Sequence, residues 1–530
     1  MRITSTPPPV HARPLKMVAV GDSLTAGFQD ATLVQDRQEY SYPNQIARAA
    51  GIPFRQPLID GEGIPPRVFQ GKDISVAPTI WRYLQVGVAL SLPMASIALG
   101  FVPPEFVLWP LYYAGSMGKV VPGYETDTQN LAVPNFELRH VGDVANVKDL
   151  MRDMTERRSD MGGLMMLAPY VHSILQGQES ASGGQSQIDR AVAQNPDLVI
   201  FWGGNNDALE SVNGGVVDDR TLTPMDDQQW TYFSTGLFGT VSKTTEQVNP
   251  GFRTSMVGPN GALTRLLNET SAEIVTMTIP DVTVIPYLKT VGQKVGSLPF
   301  KVVLRDGTDV TRKVEDWVIP DLIDGPGHDG RTVFPAGTRV GLKTVLLKFL
   351  RSGEIFSEKE LDERLNGLSA AGVALLEEDE VLTPDELGRI QQRTAEYNDL
   401  LRQSAAANPR VHLVDSGALL TRAMVSGLPL RGTGAEVTVT NVCAGLTDSR
   451  GFAGFFSFDG MHPSNVGHSV LANAVMDRVR ADLGSNPKFK GLTTAPEIDE
   501  RETFRQDPRN GGHNVLVLSG FHLAGSWGFT

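Results

Sequence analysis

Residues 15–20, Leu15-Lys16-Met17-Val18-Ala19-Val20, run straight into Gly21-Asp22-Ser23-Leu24-Thr25-Ala26-Gly27. A stretch of small and β-branched apolar residues without polar alternation must be covered on both faces, the situation of a strand inside a parallel sheet. It stops at a sharp polar turn just outside the strand's carboxyl end, where open α/β sheets form their ligand crevices. A serine at that turn has an exposed hydroxyl and a backbone N–H free to point at a substrate. Asp22 or Ser23 could equally serve as a plain helix cap. The rest of the chain has to choose between these duties.

Three more buried runs follow, at residues 196–202, 273–279 and 411–415, and each ends in polar or turn residues. Helical stretches lie between them. Tyr42–Ala50 is closed by Gly51, and residues 185–194 and 262–267 are helical in pattern. Thr383, with Glu386 three residues on, opens a long helix to about residue 406. Asn465–Leu483 carries apolar residues at helical spacing. Weaker signals suggest a strand at 54–60, a short strand into a turn at 129–135, and helical patches at 144–154 and 170–176. Strands alternating with helices predict an α/β layered fold.

The expected organisation is a tail at 1–14, a catalytic domain at 15–483 and an extension at 484–530. The domain is interrupted by insertions near 61–125, 208–258 and 288–381. Residues 208–260 look polar and irregular, 288–345 look like a small β-hairpin insertion, and 514–518 is the one strand-like run of the extension. At 530 residues, with 41% apolar and 20% charged side chains, the chain has ample core. A net charge of −13 disfavours nucleic acid and anionic membrane surfaces as partners, since both need a basic footprint. Cys443 is the single cysteine, so no intrachain disulfide can form; it has the setting of a buried structural thiol. The first sixteen residues lack the apolar core of a signal peptide, so none is expected in the chain as given; a secreted or periplasmic location stays open all the same.

Residues 83–118 hold one charged side chain, Glu105, in a long apolar passage. Three readings compete: an inserted segment of ordinary core, an apolar wall or lid beside a crevice, and a membrane span. Prolines and the lack of flanking basic residues disfavour the span. A lid would bring the chain against lipid substrates or a membrane or lipid surface.

A serine hydroxyl needs a base within hydrogen-bond reach, and that base needs an orienting partner. His462, with Asp459 three residues earlier, can supply both from one turn. Charge developing on a substrate carbonyl oxygen must meet prepared donors. The N–H of Ser23 is one, the amide of Asn206 in Gly204-Asn205-Asn206-Asp207 a second, and the N–H groups around Pro134-Asn135 a third. Each turn alone has a plain structural reading; together they provide nucleophile, base, orienter and oxyanion donors. No metal site or cofactor is expected. His468 has the setting of a helix-surface residue, and His140, His172, His328 and His412 form no recognisable arrangement.

Gly21-Asp22-Ser23-Leu24, Gly204-Asn205-Asn206-Asp207 and Asp459-Gly460-Met461-His462 resemble, in order, the first, third and fifth blocks of the GDSL (SGNH) hydrolases. The resemblance implies a flavodoxin-like three-layer α/β/α sandwich with a central mostly parallel sheet, and hydrolysis of lipid or other acyl esters. It implies Ser23 as nucleophile, His462 as base, Asp459 as its partner and Asn206 as oxyanion donor. The family's second block usually ends in a glycine whose N–H joins the oxyanion hole. Asn130 to Pro134 fit that block, but Asn135 stands where the glycine is expected; asparagine tolerates left-handed backbone angles, so a backbone donor survives the exchange. The alternatives are a carbohydrate deacetylase of the same family and a catalytically silent binding protein on the same fold.

Overall fold

The computed structural model describes residues 14–61, 63–64, 69–70, 73–75, 118–124, 127–150, 167, 169–176, 184–235, 241–293, 299–303, 308–313, 333–341, 344, 357–365, 376–510 and 515–518. The apolar passage 83–117 and His328 lie outside them.

The chain is a mixed α/β protein. Four strands, β1 (Met17–Gly21), β2 (Leu198–Trp202), β3 (Glu273–Met277) and β4 (Val411–Val414), form a sheet in that order. All three pairings are parallel, with Met17 opposite Leu198, Leu198 opposite Glu273 and Val411 opposite Ile274. Every residue of β1 and β2 is buried, which is why these strands are apolar on both faces rather than alternating. Helices supply the cover: Tyr42 and Ile46, Ile188, Leu263 and Leu266, Ile390 and Tyr397, and Val470 and Leu471 share one core with the sheet.

Residues 129–133 lie along the free edge of β1. The N–H of Ala19 donates to the Gln129 carbonyl (2.8 Å), Leu131 N–H to Ala19 (2.9 Å) and Val133 N–H to Gly21 (3.2 Å). The Gln187 side chain completes this edge like a strand residue, accepting from Gly21 N–H at 2.9 Å and donating to its carbonyl at 3.0 Å. The expected strand at 54–60 is not one. It shrinks to a single antiparallel bridge, Ile59 with Val120, where Asp60 N–H donates to the Lys119 carbonyl and Val121 N–H to the Leu58 carbonyl (2.8 Å each). Pro57 has no N–H with which to extend it, and side chains add to the hold. Gln38 donates to the Pro57 carbonyl (2.9 Å) and accepts from Ile59 N–H (2.8 Å), while Gln56 donates to the Gln38 carbonyl (2.8 Å).

Helix ends follow their capping residues. Tyr42–Ala50 closes on Gly51 in the left-handed region (φ 62°). Gln187–Ala193 starts at a Ser186–Asp189 capping box, and Pro384–Ala407 at the Thr383–Glu386 box, each satisfying two N–H groups left free by the helix. Asn465–Leu483 is capped by Ser464, whose hydroxyl accepts from Gly467 N–H. A helix without an apolar stripe in its sequence, Leu138–Asp143, begins at Glu137.

One insertion is more ordered than its sequence suggests, and a second joins a larger sheet. Within 208–258 an antiparallel hairpin pairs Gln228–Thr235 with Val241–Asn249, after the helix Asn206–Gly214. This corrects the expectation of irregular chain; the Trp, Tyr, Phe and Thr content of 230–235 was the signal for strand. In the second, Pro299–Val303 and Asp309–Lys313 form the expected hairpin. It joins Val515–Leu518 of the extension and Asp73–Ser75 of the first insertion in a five-stranded sheet. The extension is therefore woven into two insertions. Among the described residues, no helix is long and apolar enough to cross a membrane.

Candidate active site

Ser23 opens a single helical turn, Ser23–Ala26, directly after β1. The turn is tight because Gly21 sits against β2. A methyl group there would fall 2.3 Å from the Trp202 carbonyl oxygen and 2.7 Å from the Thr25 hydroxyl, so only glycine fits. Asp22 caps the turn: its carboxylate accepts from Leu24 N–H (3.1 Å) and from the Asn205 side-chain amide (2.8 Å). Asn205 follows β2, so this contact ties the ends of two neighbouring strands together.

His462 is brought to Ser23 by the turn after Ala453–Phe456, a strand of a separate small sheet. Its Nε2 lies 2.9 Å from the Ser23 hydroxyl, across 439 residues of sequence. Its Nδ1 lies 2.9 Å from Asp459 Oδ2. A carboxylate facing Nδ1 favours the tautomer with the proton there, leaving the Nε2 lone pair for the serine proton. The Phe28 ring covers the imidazole with centroids 4.7 Å apart. Ser23 and His462 are 3% and 6% exposed, so the pair is shielded yet not sealed.

Asp459 is saturated with donors. Its Oδ1 accepts from the Ser457 hydroxyl (3.0 Å) and from Met461 and His462 N–H (2.9 Å each); Oδ2 also accepts from Ala31 N–H at 2.9 Å. Burial opposes its charge, but His462 and these donors outweigh burial and hold the carboxyl well below the usual carboxylate range. It therefore stays ionised and fixes the imidazole.

The oxyanion candidates lie just past the carboxyl ends of β1 and β2 and in the loop that follows 129–133. Asn135 adopts φ 62°, in the left-handed region that asparagine tolerates better than most residues. Among the described residues, nothing accepts from the N–H of Ser23 or of Asn135. Asn206 starts the helix after β2, and its side-chain nitrogen donates to the Phe136 carbonyl at 2.9 Å, leaving its second hydrogen uncommitted by that bond. The neighbouring Asp207 carboxylate accepts from Leu138 N–H at 2.8 Å. These two bonds clip the 133–138 loop to the 205–207 turn, so the donors are fixed in one frame.

Compared with protein-family models, with curated proteins and with solved structures, the chain finds no match. The chemistry has to be argued from the site itself.

His468 is not on the helix surface. It is fully buried, its ring stacked 6.3 Å from Tyr42 (14° between planes), and burial pushes its imidazole down to about 3. The first turns of Asn465–Leu483 are buried around their whole circumference, so an argument from one polar face fails there. His412 is clamped between Asp482 (2.8 Å) and Glu273 (3.1 Å), which fastens the same helix to the sheet. His140 accepts from Glu137 N–H at 3.1 Å in a capping box. Cys443 is half-buried, its thiol pushed up to about 11 by burial, and it takes no part in the site. Among the described residues, no group of three or more His, Cys, Asp or Glu could hold a metal ion.

Sequence reasoning missed Asn205, Ser457 and the Ala31 N–H, all of which contact Asp22 or Asp459 directly. Asn205 was visible within its turn; the other two had no sequence signal.

Asp22 yields a test of this frame. Full burial raises its carboxyl to about 6, against the pull of its Asn205 and Leu24 contacts. A carboxyl whose pKa is higher in the folded state binds protons more tightly there, so its contribution to stability falls as pH rises from about 4 to about 6. Asp22→Asn removes this loss. The new amide can donate to Asn205 Oδ1, a buried acceptor that has no partner. Urea midpoints should place the variant above the parent at pH 7.5 by about 3 kcal/mol at most, with the gap closing by pH 4.5. A gap independent of pH would mean Asp22 is already protonated or already solvated.

Proposed function

We propose that the chain is a metal-independent serine ester hydrolase of the GDSL (SGNH) type, built on a flavodoxin-like three-layer α/β/α sandwich. The observation that carries this reading is the relay Ser23 Oγ–His462 Nε2–Asp459, with both contacts at 2.9 Å. Catalysis starts when Ser23 Oγ attacks the ester carbonyl and His462 Nε2 takes the serine proton. The oxyanion that forms is met by the N–H groups of Ser23 and Asn135 and the amide of Asn206. Collapse breaks the C–O bond to the alcohol, and His462 returns the proton to the departing oxygen. Water, deprotonated by the same nitrogen, then attacks the acyl-enzyme and releases the carboxylic acid and free Ser23.

The substrate class we favour is acyl esters of lipids or other small molecules. The apolar character of 83–118 supports it, together with a buried apolar cluster that includes Phe28, Val133, Phe136 and Tyr170 beside the site. A panel of aryl and glyceryl esters of increasing acyl length tests the reading. Hydrolysis should proceed without added metal and fall steeply in His462→Ala, which removes the base that accepts the serine proton. Asp459 stays ionised far into acid, so its charge holds the imidazole throughout the assay. Parental activity in His462→Ala removes His462 as base, and no hydrolysis of any ester removes the proposal.

A further inference from the structure

Residues 29–32 form a turn whose two central residues both take left-handed angles, Asp30 at φ 56° and Ala31 at φ 59°. Gln29 and Thr32 exchange N–H···O=C bonds across it at 3.1 and 3.0 Å. This is the type I′ geometry, which normally selects Asn-Gly; an alanine in it is strained, because its Cβ crowds the backbone at left-handed angles. Such strain persists only where the surroundings impose it.

The surroundings here are a buried ionic clamp. Arg509, fully buried in the C-terminal extension, donates to both Asp30 oxygens (3.0 Å each) and to Gln29 Oε1 (2.9 Å). It is itself held by Asp507 at 2.9 and 2.7 Å. Arg37 adds a contact to Asp30 Oδ2 at 2.9 Å. Two arginines and two aspartates balance in charge, which is the condition for burying them at all.

The clamp leads directly to the relay. Asp30 Oδ1 accepts from Phe458 N–H at 2.9 Å, and Asp30 N–H donates to the Ser457 hydroxyl at 3.1 Å. Ser457 then donates to Asp459 Oδ1, and Ala31 N–H to Asp459 Oδ2. Two of the donors that hold the Asp459 carboxylate therefore depend on how the 29–32 turn is fastened. We infer that Arg509 of the C-terminal extension is a positioning residue for the catalytic relay, acting through the Asp30-Ala31 turn on Asp459 and so on His462. The inference rests on the serine-hydrolase reading for its kinetic consequence, though not for its structural one.

The test uses the full chain. Arg509→Met alone would strand the buried Asp507 carboxylate, so it is paired with Asp507→Asn, which leaves Arg37 and Asp30 as a balanced couple. Proton NMR of the Nδ1–H of His462, shifted far downfield by its bond to Asp459, reads the relay whether or not an ester is turned over. The double variant should stay folded, lose or shift that resonance, and lower kcat about ten- to a hundredfold at unchanged KM, the scale of a small misplacement of a catalytic group. Adding Ala31→Gly, which relaxes the turn without any clamp, should restore the resonance and most of kcat. Arg509→Lys keeps the buried charge but cannot span both Asp30 oxygens and Gln29; it should show a smaller loss in the same direction and covers the case where the double variant fails to fold. A folded double variant with parental kcat and resonance overturns the inference. So does a fall in kcat with the resonance unmoved, or a triple variant that recovers nothing. If the parent hydrolyses no ester while the resonance responds as described, the functional proposal fails and the positioning role stands.

Discussion

Ser23→Ala is expected to lower kcat for a short-chain aryl ester by about a millionfold, the scale seen when an activated serine is removed from such a relay. The Ser23 hydroxyl makes one side-chain hydrogen bond, to His462 Nε2, so alanine leaves little behind that needs repair. The turn itself is held by Asp22 and by the close fit of Gly21 on Trp202, neither of which alanine disturbs. KM and the melting temperature should therefore change little while turnover collapses. A fluorophosphonate probe, which captures only an activated serine, should label the parent and not the variant. Residual activity about a thousandfold above water is compatible with this, because His462 and the oxyanion donors remain. Labelling of the variant at the parent's rate would place the nucleophile elsewhere in the chain.

Much of this arrangement was legible in the sequence, and the reason lies in where the strands run. Each core strand is covered on both faces, so it announces itself as an apolar run, and the run's end marks the turn that faces the crevice. That is how Ser23 and Asn206 could each be assigned to a turn at a strand's end; that the two strands are neighbours comes from the Gly21–Trp202 pairing and the Asp22–Asn205 contact. Caps were legible for the same local reason: Thr383 with Glu386, and Gly51 after Tyr42–Ala50, act within one helical turn.

What could not be read is set by contacts distant in sequence. The stretch at 54–60 has strand-like residues, but its backbone pairing is confined to one bridge, Ile59 with Val120, beside Pro57 and the Gln38 and Gln56 amides. His468 looked like a surface residue because the burial of the first turns of its helix on every side is set by distant parts of the chain. The type I′ turn at Asp30-Ala31 contains no glycine, so no local rule flags it; the groups that hold Asp30 include Arg509, 479 residues away. The same distance hides the integration of the extension, whose strand Val515–Leu518 finds its partners in two separate insertions.

Asp459→Asn should cost about ten-thousandfold in kcat, and the geometry says why so small a change is so costly. Both carboxylate oxygens face donors only: Ser457, Met461 and His462 on one side, Ala31 and the imidazole on the other. An amide must turn its NH2 towards one of these sets. Facing the imidazole, it drives the proton from Nδ1 to Nε2, and the nitrogen that should accept from Ser23 now carries a hydrogen. Facing the other way, it sets an NH2 against three donors and pushes the turn apart. The carboxyl is also more acidic in the folded state than in the unfolded chain, so its charge stabilises the fold above about pH 4 and that contribution is lost as pH falls further. The variant should accordingly melt lower than the parent at pH 7, with the difference shrinking in acid below about pH 4. Kinetics and melting curves on the same preparations separate the two effects. A variant within tenfold of parental kcat at pH 7 would mean that His462 needs no carboxylate partner, and that the donors gathered around Asp459 serve the turn alone.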